Sequence, residues 1–315
     1  MFRRWLSEFI RNNKEKTKKI IKLFGLLLLV GIGAMIAFRT GNNSVKESSK
    51  NTIYNPTKTI ISGENVKKED FKQEENLISS FVEYCNSNKI QEAYNLLTDE
   101  CKLKMYPSLE IFKKNYYDVI FNEKKECTLQ SWITNKNYNT YKVTLIEDIM
   151  ATGNYDNVKK IIDYITIETK NGEKKLNINN YIKSEEINKT TKTEELEILV
   201  ESVDVYMDSV KYYLLVSNLS GKDILLDTLK NDLNIKFTGS NGVEYGLDGT
   251  NLFSLDLLIY GTSKNKKIEL KFNKQYGSEV EGESIEFKNA IMNCEEYLKD
   301  ENSYNGYKKI SIKLY

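Results

Sequence analysis

Between Ile20 and Phe38 the chain reads IIKLFGLLLLVGIGAMIAF, with Lys22 as its single charge, placed near one end where its stem reaches the headgroups. At 1.5 Å per residue a helix of this length spans about 28 Å, the hydrocarbon thickness of a bilayer. Arg3, Arg4, Arg11, Lys14, Lys16, Lys18 and Lys19 precede it, while Arg39, Lys46 and Lys50 are more widely spaced after it. That asymmetry puts residues 1–19 in the cytoplasm as a basic segment and everything beyond Phe38 outside the cell membrane. The alternative is a cleaved signal peptide, which would carry a shorter apolar core and an A-x-A-like site; Ala34 and Ala37 have the wrong spacing. The expectation is therefore an uncleaved single-pass transmembrane helix over 20–38, with the lipid bilayer as its partner. Phe2, Trp5, Leu6, Phe9 and Ile10 share one side of a potential helix that could lie on the inner surface, although a topology signal alone accounts for this segment. Residues 39–70, rich in Gly, Asn, Ser, Thr and Lys and holding Pro56, read as a flexible linker.

The remainder is long enough for two domains with cores of their own. Histidine is absent, which removes Ser-His-Asp and Cys-His nucleophilic sites, histidine-based zinc sites and imidazole acid–base catalysis. P-loop, G-x-S-x-G and complete G-x-G-x-x-G patterns are missing as well. Lys plus Arg number 46 against 45 Asp plus Glu, and a net charge of +1 gives no reason to expect nucleic acid as a partner. The expected catalytic, cofactor-binding and metal-binding sets are accordingly empty, and the chain is expected not to be an enzyme.

Residues 71–189 begin with helical spacing. Leu77, Ile78, Phe81, Val82 and Cys85 make one stripe; Ile90, Ala93, Tyr94 and Leu97 a second; and, after Pro107 with Ser108 as N-cap, Leu109, Phe112, Tyr116, Val119 and Ile120 a third. The period then drops to two at Cys127, Leu129, Ser131 and Ile133, at Tyr141, Val143 and Leu145, and at Ile165 and Ile167 before a Lys170-Asn171-Gly172-Glu173 hairpin turn, with Leu176 and Ile178 returning. Helices followed by antiparallel strands predict an α+β unit. Tyr94, Leu97, Leu109, Phe112 and Tyr116 are expected as core rather than as a ligand surface, because aromatic stripes at helical spacing usually face inward.

The stretch NKIQEAYNLLTDECKLKMYPSLEIFKKNY, ending at Tyr116, with KKLNINNYIKSEEI, ending at Ile187, resembles the nuclear-transport-factor-like (cystatin-like cone) superfamily. It resembles in particular the membrane-anchored bacterial members found among conjugation and type IV secretion scaffold proteins. The resemblance implies helices packed on a curved antiparallel sheet, with Ile187 in its last strand. Enzymes of that family place an aspartate and tyrosines inside the cone; Asp148 or Asp163 with Tyr141 or Tyr164 could be imagined there, but they match no family motif.

Residues 194–315 are dominated by alternation: Leu196 to Val200, Val203 and Val205, Tyr212 to Val216, Leu233-x-Ile235-x-Phe237, Val243 to Leu247, Ile268-x-Leu270-x-Phe272, Ile285-x-Phe287 and Ile310-x-Ile312-x-Leu314. Turns are expected at Asn218-x-Ser220-Gly221 and Ser240-Asn241-Gly242. ILVESVDVYMDSVKYYLLVSNLSGKDILLD, KIELKFNK and SIEFKNAIM resemble the immunoglobulin-like (telokin-like) β-sandwiches of exported Gram-positive proteins, a resemblance of architecture that implies a binding or spacing module. Asp204, Asp208, Asp223 and Asp227 lack calcium-loop spacing and are expected as solvated edge or turn residues. Cys85, Cys101, Cys127 and Cys294 form no C-x-x-C; a disulfide among the first three is allowed outside the cell, and free buried thiols are the favoured expectation. Taken together, the two resemblances imply an extracytoplasmic scaffold or adaptor that binds envelope proteins of a conjugation or secretion apparatus, with homo-oligomers compatible. The alternative they leave is a receptor holding a small apolar or cell-wall ligand in the cone.

Overall fold

A computed structural model describes residues 59–60, 67–147, 159–230, 234–274 and 282–315. The basic segment 1–19, the apolar run 20–38 and most of 39–70 lie outside those residues, and the last three residues of the expected linker, 68–70, are already helical; among the described residues no helix is long and apolar enough to cross a membrane. Thr59, within the stretch expected as linker, is buried.

Helices come first. In α1 (Lys68–Asn86) the expected stripe faces inward, with Ile78, Phe81, Val82 and Cys85 buried. Asn88 then adopts a left-handed φ of 57°, which asparagine tolerates, and turns the chain into α2 (Ile90–Asn95). The next helix, α3 (Asp99–Met105), is not among the helical stripes read from the sequence. Its start is fixed locally: Thr98 Oγ1 accepts the Cys101 N–H at 2.9 Å, and Asp99 and Glu100 occupy the first turn, where the helix dipole favours negative charge. Past Pro107, Ser108 caps α4 (Leu109–Phe112) as expected, its Oγ accepting the Ile111 N–H at 3.3 Å. The chain widens into a π-helical turn over Lys113–Tyr117 before α5 (Asp118–Ile120). The wider turn rotates the stripe, so that Phe112, Tyr116, Ile120 and Phe121 are buried and Val119, expected among them, is 65% exposed.

The strands β1 (Lys125–Thr134), β2 (Tyr138–Glu147), β3 (Lys160–Lys170) and β4 (Glu173–Asn177) form an antiparallel sheet in chain order. Asn171 and Gly172 both have positive φ, 55° and 81°, the signature of a type I′ turn, so the predicted hairpin joins β3 to β4. Tyr141, Val143, Leu145, Ile165, Ile167 and Leu176 meet Phe81, Phe112 and Tyr116 in one core. Of the five aromatic and aliphatic positions expected as core, Leu97, Phe112 and Tyr116 are fully buried, and Tyr94 and Leu109 pack partly buried against them. Glu74 of α1 pins the helix to this sheet: its carboxylate accepts from Tyr141 Oη at 2.5 Å, from Asn139 Nδ2 at 2.9 Å and from Lys174 Nζ at 2.7 Å.

The following strand departs from expectation. β5 (Tyr181–Lys192), read as the last strand of the first module, pairs antiparallel with β6 (Leu196–Tyr206), from Tyr181↔Tyr206 to Lys192↔Glu197. The turn between them supplies the reason: Thr193 Oγ1 accepts the N–H groups of Glu195 and Leu196 at 3.2 and 3.0 Å, and a strand returned by so tight a turn pairs with its successor. With β7 (Ser209–Asn218) and β12 (Lys266–Asn273) these strands form a sheet of order β12-β7-β6-β5. A second sheet is built on β13 (Gly282–Ile291), which pairs with β14 (Tyr307–Lys313) and with β9 (Ile235–Gly239); β10 (Glu244–Gly246) extends it beside β9, and β8 (Ile224–Leu225) with β11 (Leu258–Ile259) extends it at the Ile291 end. Val200, Tyr212, Leu214 and Phe272 from one sheet share a core with Phe237, Ile285, Phe287 and Ile312 from the other. A short helix, α6 (Cys294–Lys299), precedes β14.

The described residues form one compact unit, and the β5–β6 hairpin shows how. Glu100 of α3 accepts the Ser184 N–H at 2.7 Å and the Tyr181 hydroxyl, Met207 N–H donates to the Asn180 carbonyl at 2.9 Å, and Tyr181 meets Tyr206 edge-on with ring centres 5.5 Å apart. Ile182 and Met207 of the hairpin pack with Ile133, Tyr138 and Tyr164 of the first sheet in a separate small core. One end of the hairpin thus belongs to the helix–sheet unit and the other to the facing sheets.

All four cysteines are unpaired, with Cys85 and Cys101 buried. Burial pushes the Cys85 and Cys101 thiols up to about 12 and Cys294 to about 11, which keeps them protonated and slow as nucleophiles. Thiol titration of the chain purified without reductant should find Cys85 and Cys101 silent in native buffer and all 4 cysteines reactive in denaturant. Recovery of only two thiols in denaturant would contradict this.

Candidate functional site

Alternation along β12 turns Ile268, Leu270 and Phe272 into the core and leaves Lys267, Glu269 and Lys271 on the outer face. On the neighbouring strand Tyr212, Leu214 and Val216 point inward and Lys211 and Tyr213 outward, and the register sets Glu269 opposite Tyr213 and Lys271 opposite Lys211. A bulge in β6 between Val200 and Ser202 resets that strand's phase, so Val203 faces the core and Asp204 the outer face. Asp204 is nevertheless buried, contrary to the expectation of a solvated edge residue, because it is covered by its partners. Lys104 of α3 brings Nζ to 2.9 Å from Asp204 Oδ1, off the line of a good hydrogen bond, while Tyr213 Oη donates to Asp204 Oδ2 at 2.6 Å. Lys104 and Lys211 both hold their ammonium groups over the Tyr213 ring, 4.8 and 5.1 Å from its centre, and Lys211 pairs with Glu269.

Two adjoining clefts, of about 450 and 440 Å³, share Lys267, Ile268 and Glu269. The first reaches from there to Lys104, Glu186 and Tyr213, the second to Lys211, Asp248 and Lys266, so together they form one groove across β12 from α3 to the 248–256 loop. β12 is the outer strand of its sheet; Leu247 bridges to Phe272 and Asp248 N–H donates to the Lys271 carbonyl, closing the edge at that end. Asp248 is held firmly anionic, its pKa depressed to about 2 by the Thr250 side chain and the Lys271 ammonium. Lys266 has its pKa lowered by burial, and its Nζ donates to the carbonyls of Leu255 and Leu258 at 3.1 and 2.6 Å, fixing the loop beside the groove. The groove therefore offers interleaved donors and acceptors, an aromatic ring and a strand edge. Such a surface suits a polar polypeptide segment better than a polyanion, for which its carboxylates would be repulsive.

The polar residues weighed from the sequence do not assemble into one site. Asp163 is buried: its Oδ2 accepts from Tyr116 Oη at 2.7 Å and from the Asn179 N–H at 3.2 Å, its Oδ1 from the Asn180 N–H at 3.2 Å, and burial raises its pKa. Tyr141 serves Glu74 instead, Tyr164 packs edge-on against Trp132 at 5.4 Å, and Asp148 lies outside the described residues. Among the described residues no group of three or more cysteine or carboxylate side chains is gathered for a metal. The groove residues were invisible in the sequence because Lys267, Glu269 and Lys271 read as the wet side of a half-buried strand; Thr98 ahead of Asp99 and Glu100, a helix-start pattern, is the signal that could have found the helix that comes to cover part of it.

No family model, curated protein or solved structure matches the chain. The groove's geometry and the sequence patterns carry the functional reading.

Proposed function

We propose that this chain is a single-pass, membrane-anchored scaffold or adaptor that displays its folded part on the outer side of the membrane and binds another envelope protein in the groove across β12. The observation that carries this reading is the groove itself, polar and mixed in charge, running beside a strand edge and walled by Lys104 from a different layer of the fold. A partner segment lying along the open part of β12 would pair its backbone with the edge and its side chains with Tyr213, Lys267 and Glu269. The helices-first α+β order and the facing antiparallel sheets are compatible with a cone-shaped domain, which the sequence patterns liken to conjugation and secretion scaffolds, followed by an immunoglobulin-like sandwich, which they liken to exported Gram-positive proteins. The apolar run 20–38 would hold such modules at high effective concentration near membrane-embedded partners. A small-ligand receptor would need an open interior, and that space is taken by Phe81, Tyr106, Phe112 and Tyr116, whose rings lie 5.5 to 6.4 Å apart.

The test is affinity capture from detergent-solubilised envelopes with the full-length chain, read by mass spectrometry. Lys267→Glu reverses an exposed charge in the middle of the groove and should lower recovery of the specific partner about tenfold, equivalent to about 1.4 kcal/mol, with the melting temperature unchanged. Equal recovery by both forms, or no specific envelope protein captured by either, would refute the reading.

A further inference from the structure

The sequence holds three Asn-Gly pairs, Asn171-Gly172, Asn241-Gly242 and Asn305-Gly306. A glycine after asparagine leaves the next backbone nitrogen unshielded by a side chain, so that it can attack the asparagine's own Cγ wherever the chain lets the two meet. The fold treats the three pairs differently. Asn171 and Gly172 are locked in the type I′ turn between β3 and β4, where a ψ of about +30° at Asn171 holds the Gly172 nitrogen nearly opposite Cβ across the Cα–C bond, away from the side-chain carbonyl. Asn241 is pinned at both ends of its amide: Oδ1 accepts the Val243 N–H at 3.0 Å and Nδ2 donates to Tyr245 Oη at 3.2 Å, while the Gly242 N–H donates to the Gly239 carbonyl at 2.8 Å. Asn305 has none of these restraints. It is exposed and lies, with the exposed Gly306, between the turn at 301–303 and β14; its φ is not left-handed, and among the described residues neither its side chain nor the Gly306 N–H has a hydrogen-bond partner. Glycine is itself required at 306: a Cβ there would lie 2.7 Å from Tyr304 Oη, which donates to the Gly306 carbonyl at 3.1 Å, and the Tyr304 ring meets Tyr297 and Tyr307 edge-on at 5.4 and 5.0 Å. That hydrogen bond holds the 306–307 peptide and leaves the 305–306 peptide free to turn.

We propose that Asn305 is a site of spontaneous deamidation, and that the fold confines this modification to one of its three Asn-Gly pairs. The Gly306 nitrogen gives up its proton and forms a bond to Asn305 Cγ, and the side-chain amide nitrogen leaves with that proton as ammonia, which closes a five-membered succinimide. Water then opens the ring at either carbonyl: breaking the new Cγ–N bond leaves aspartate, and breaking the original backbone C–N bond leaves isoaspartate. Amide and water are exchanged for carboxylic acid and ammonia, with no change in oxidation state. Either product carries a new negative charge. Isoaspartate also routes the main chain through Cβ, adding one carbon to it just before β14, whose first residue, Tyr307, pairs with Ile291. The Tyr297, Tyr304 and Tyr307 rings and the start of β14 therefore feel the change, and the site is a one-way chemical clock on the second sheet. Neither the groove across β12 nor membrane attachment enters this chemistry.

The experiment is incubation of the full-length chain in detergent at neutral pH, native and in guanidinium chloride. Peptide mapping by mass spectrometry locates each gain of one mass unit, and labelling by an isoaspartyl methyltransferase identifies the branched product. In the native chain Asn305 should react about tenfold or more faster than Asn171 and Asn241, since one ordinary hydrogen bond or one unfavourable backbone conformer that must be undone first slows attack by about that factor. In guanidinium chloride the three rates should converge, because the fold and not the dipeptide sets the choice. Asn305→Gln, at an exposed position, should remove the signal at 305 and leave the melting temperature unchanged, since the longer side chain would have to close a six-membered ring. Comparable native rates at all three pairs, faster native reaction at Asn171 or Asn241, or an intact Asn305 over the period in which the denatured chain reacts would overturn the proposal.

Discussion

Replacing Asp163 by alanine should lower the unfolding free energy by about 3 to 5 kcal/mol, with the urea m-value unchanged. Three donors converge on this buried carboxylate: the hydroxyl of Tyr116, itself buried, and the N–H groups of Asn179 and Asn180. Alanine leaves all three without an acceptor, and each stranded buried donor costs about 1 to 3 kcal/mol, partly relieved by rearrangement. Asn179 and Asn180 both sit in left-handed conformations, φ 58° and 65°, so the carboxylate also staples the turn that sends the chain from β4 into β5. The pH dependence follows from burial, which raises the folded-state pKa of Asp163 above its unfolded value. The folded state then binds the proton more tightly, so this residue's contribution is fully present below about pH 3.9, the unfolded value, is lost as pH rises through the raised folded value, and is flat above it. Asp163→Ala should remove that decline from the stability profile. A variant that loses less than about 1 kcal/mol, the worth of a single ordinary hydrogen bond, would show that the carboxylate is not the hub of this turn.

The parts of the fold that could be read in advance are those governed by local rules. The α1 stripe, the Ser108 cap and the Asn171-Gly172 turn depend on neighbours a few residues away, and each was legible. What escaped depends on partners far along the chain. The π-helical turn that swings Val119 outward lets Tyr116 and Phe121, five residues apart and so on different faces of an ordinary α-helix, both reach Phe81, at 6.0 and 6.5 Å between ring centres, which no local spacing reveals. The pairing of β5 is not legible locally because exposed residues dominate its second half, so its alternation says little, and the turn at Thr193 decides the partner. Burial of Asp204 and Asp227 was likewise unreadable, since both stand in turn-rich, charged stretches and are covered only after folding. The groove across β12 needs α3 and β12, separated by more than half the described chain, to meet.

The meeting of those two elements yields the second large effect expected. Lys104→Met keeps the aliphatic stem of the lysine and removes its charge, leaving the Asp204 carboxylate, wholly buried, with the Tyr213 hydroxyl alone. Breaking one side of a buried ion pair costs about 3 to 5 kcal/mol, and since the Lys104 side chain is 28% exposed the lower end, about 3 kcal/mol, is expected. By contrast Lys113 and Asp118, both about half exposed and 2.7 Å apart, should contribute under about 1 kcal/mol, which makes Lys113→Met the natural control. Adding Asp204→Asn to Lys104→Met removes the stranded charge while keeping an acceptor for Tyr213, so the double variant should recover about 2 kcal/mol relative to the sum of the singles. Chemical denaturation of the four forms gives this coupling directly. Because Lys104 projects from α3 onto a sheet built by residues 181–273, a coupling near zero would mean that the helix merely rests on that face. A coupling of the expected size means that the wall of the groove is fastened to its floor by charge, so the helix–sheet unit and the facing sheets present one surface to a partner.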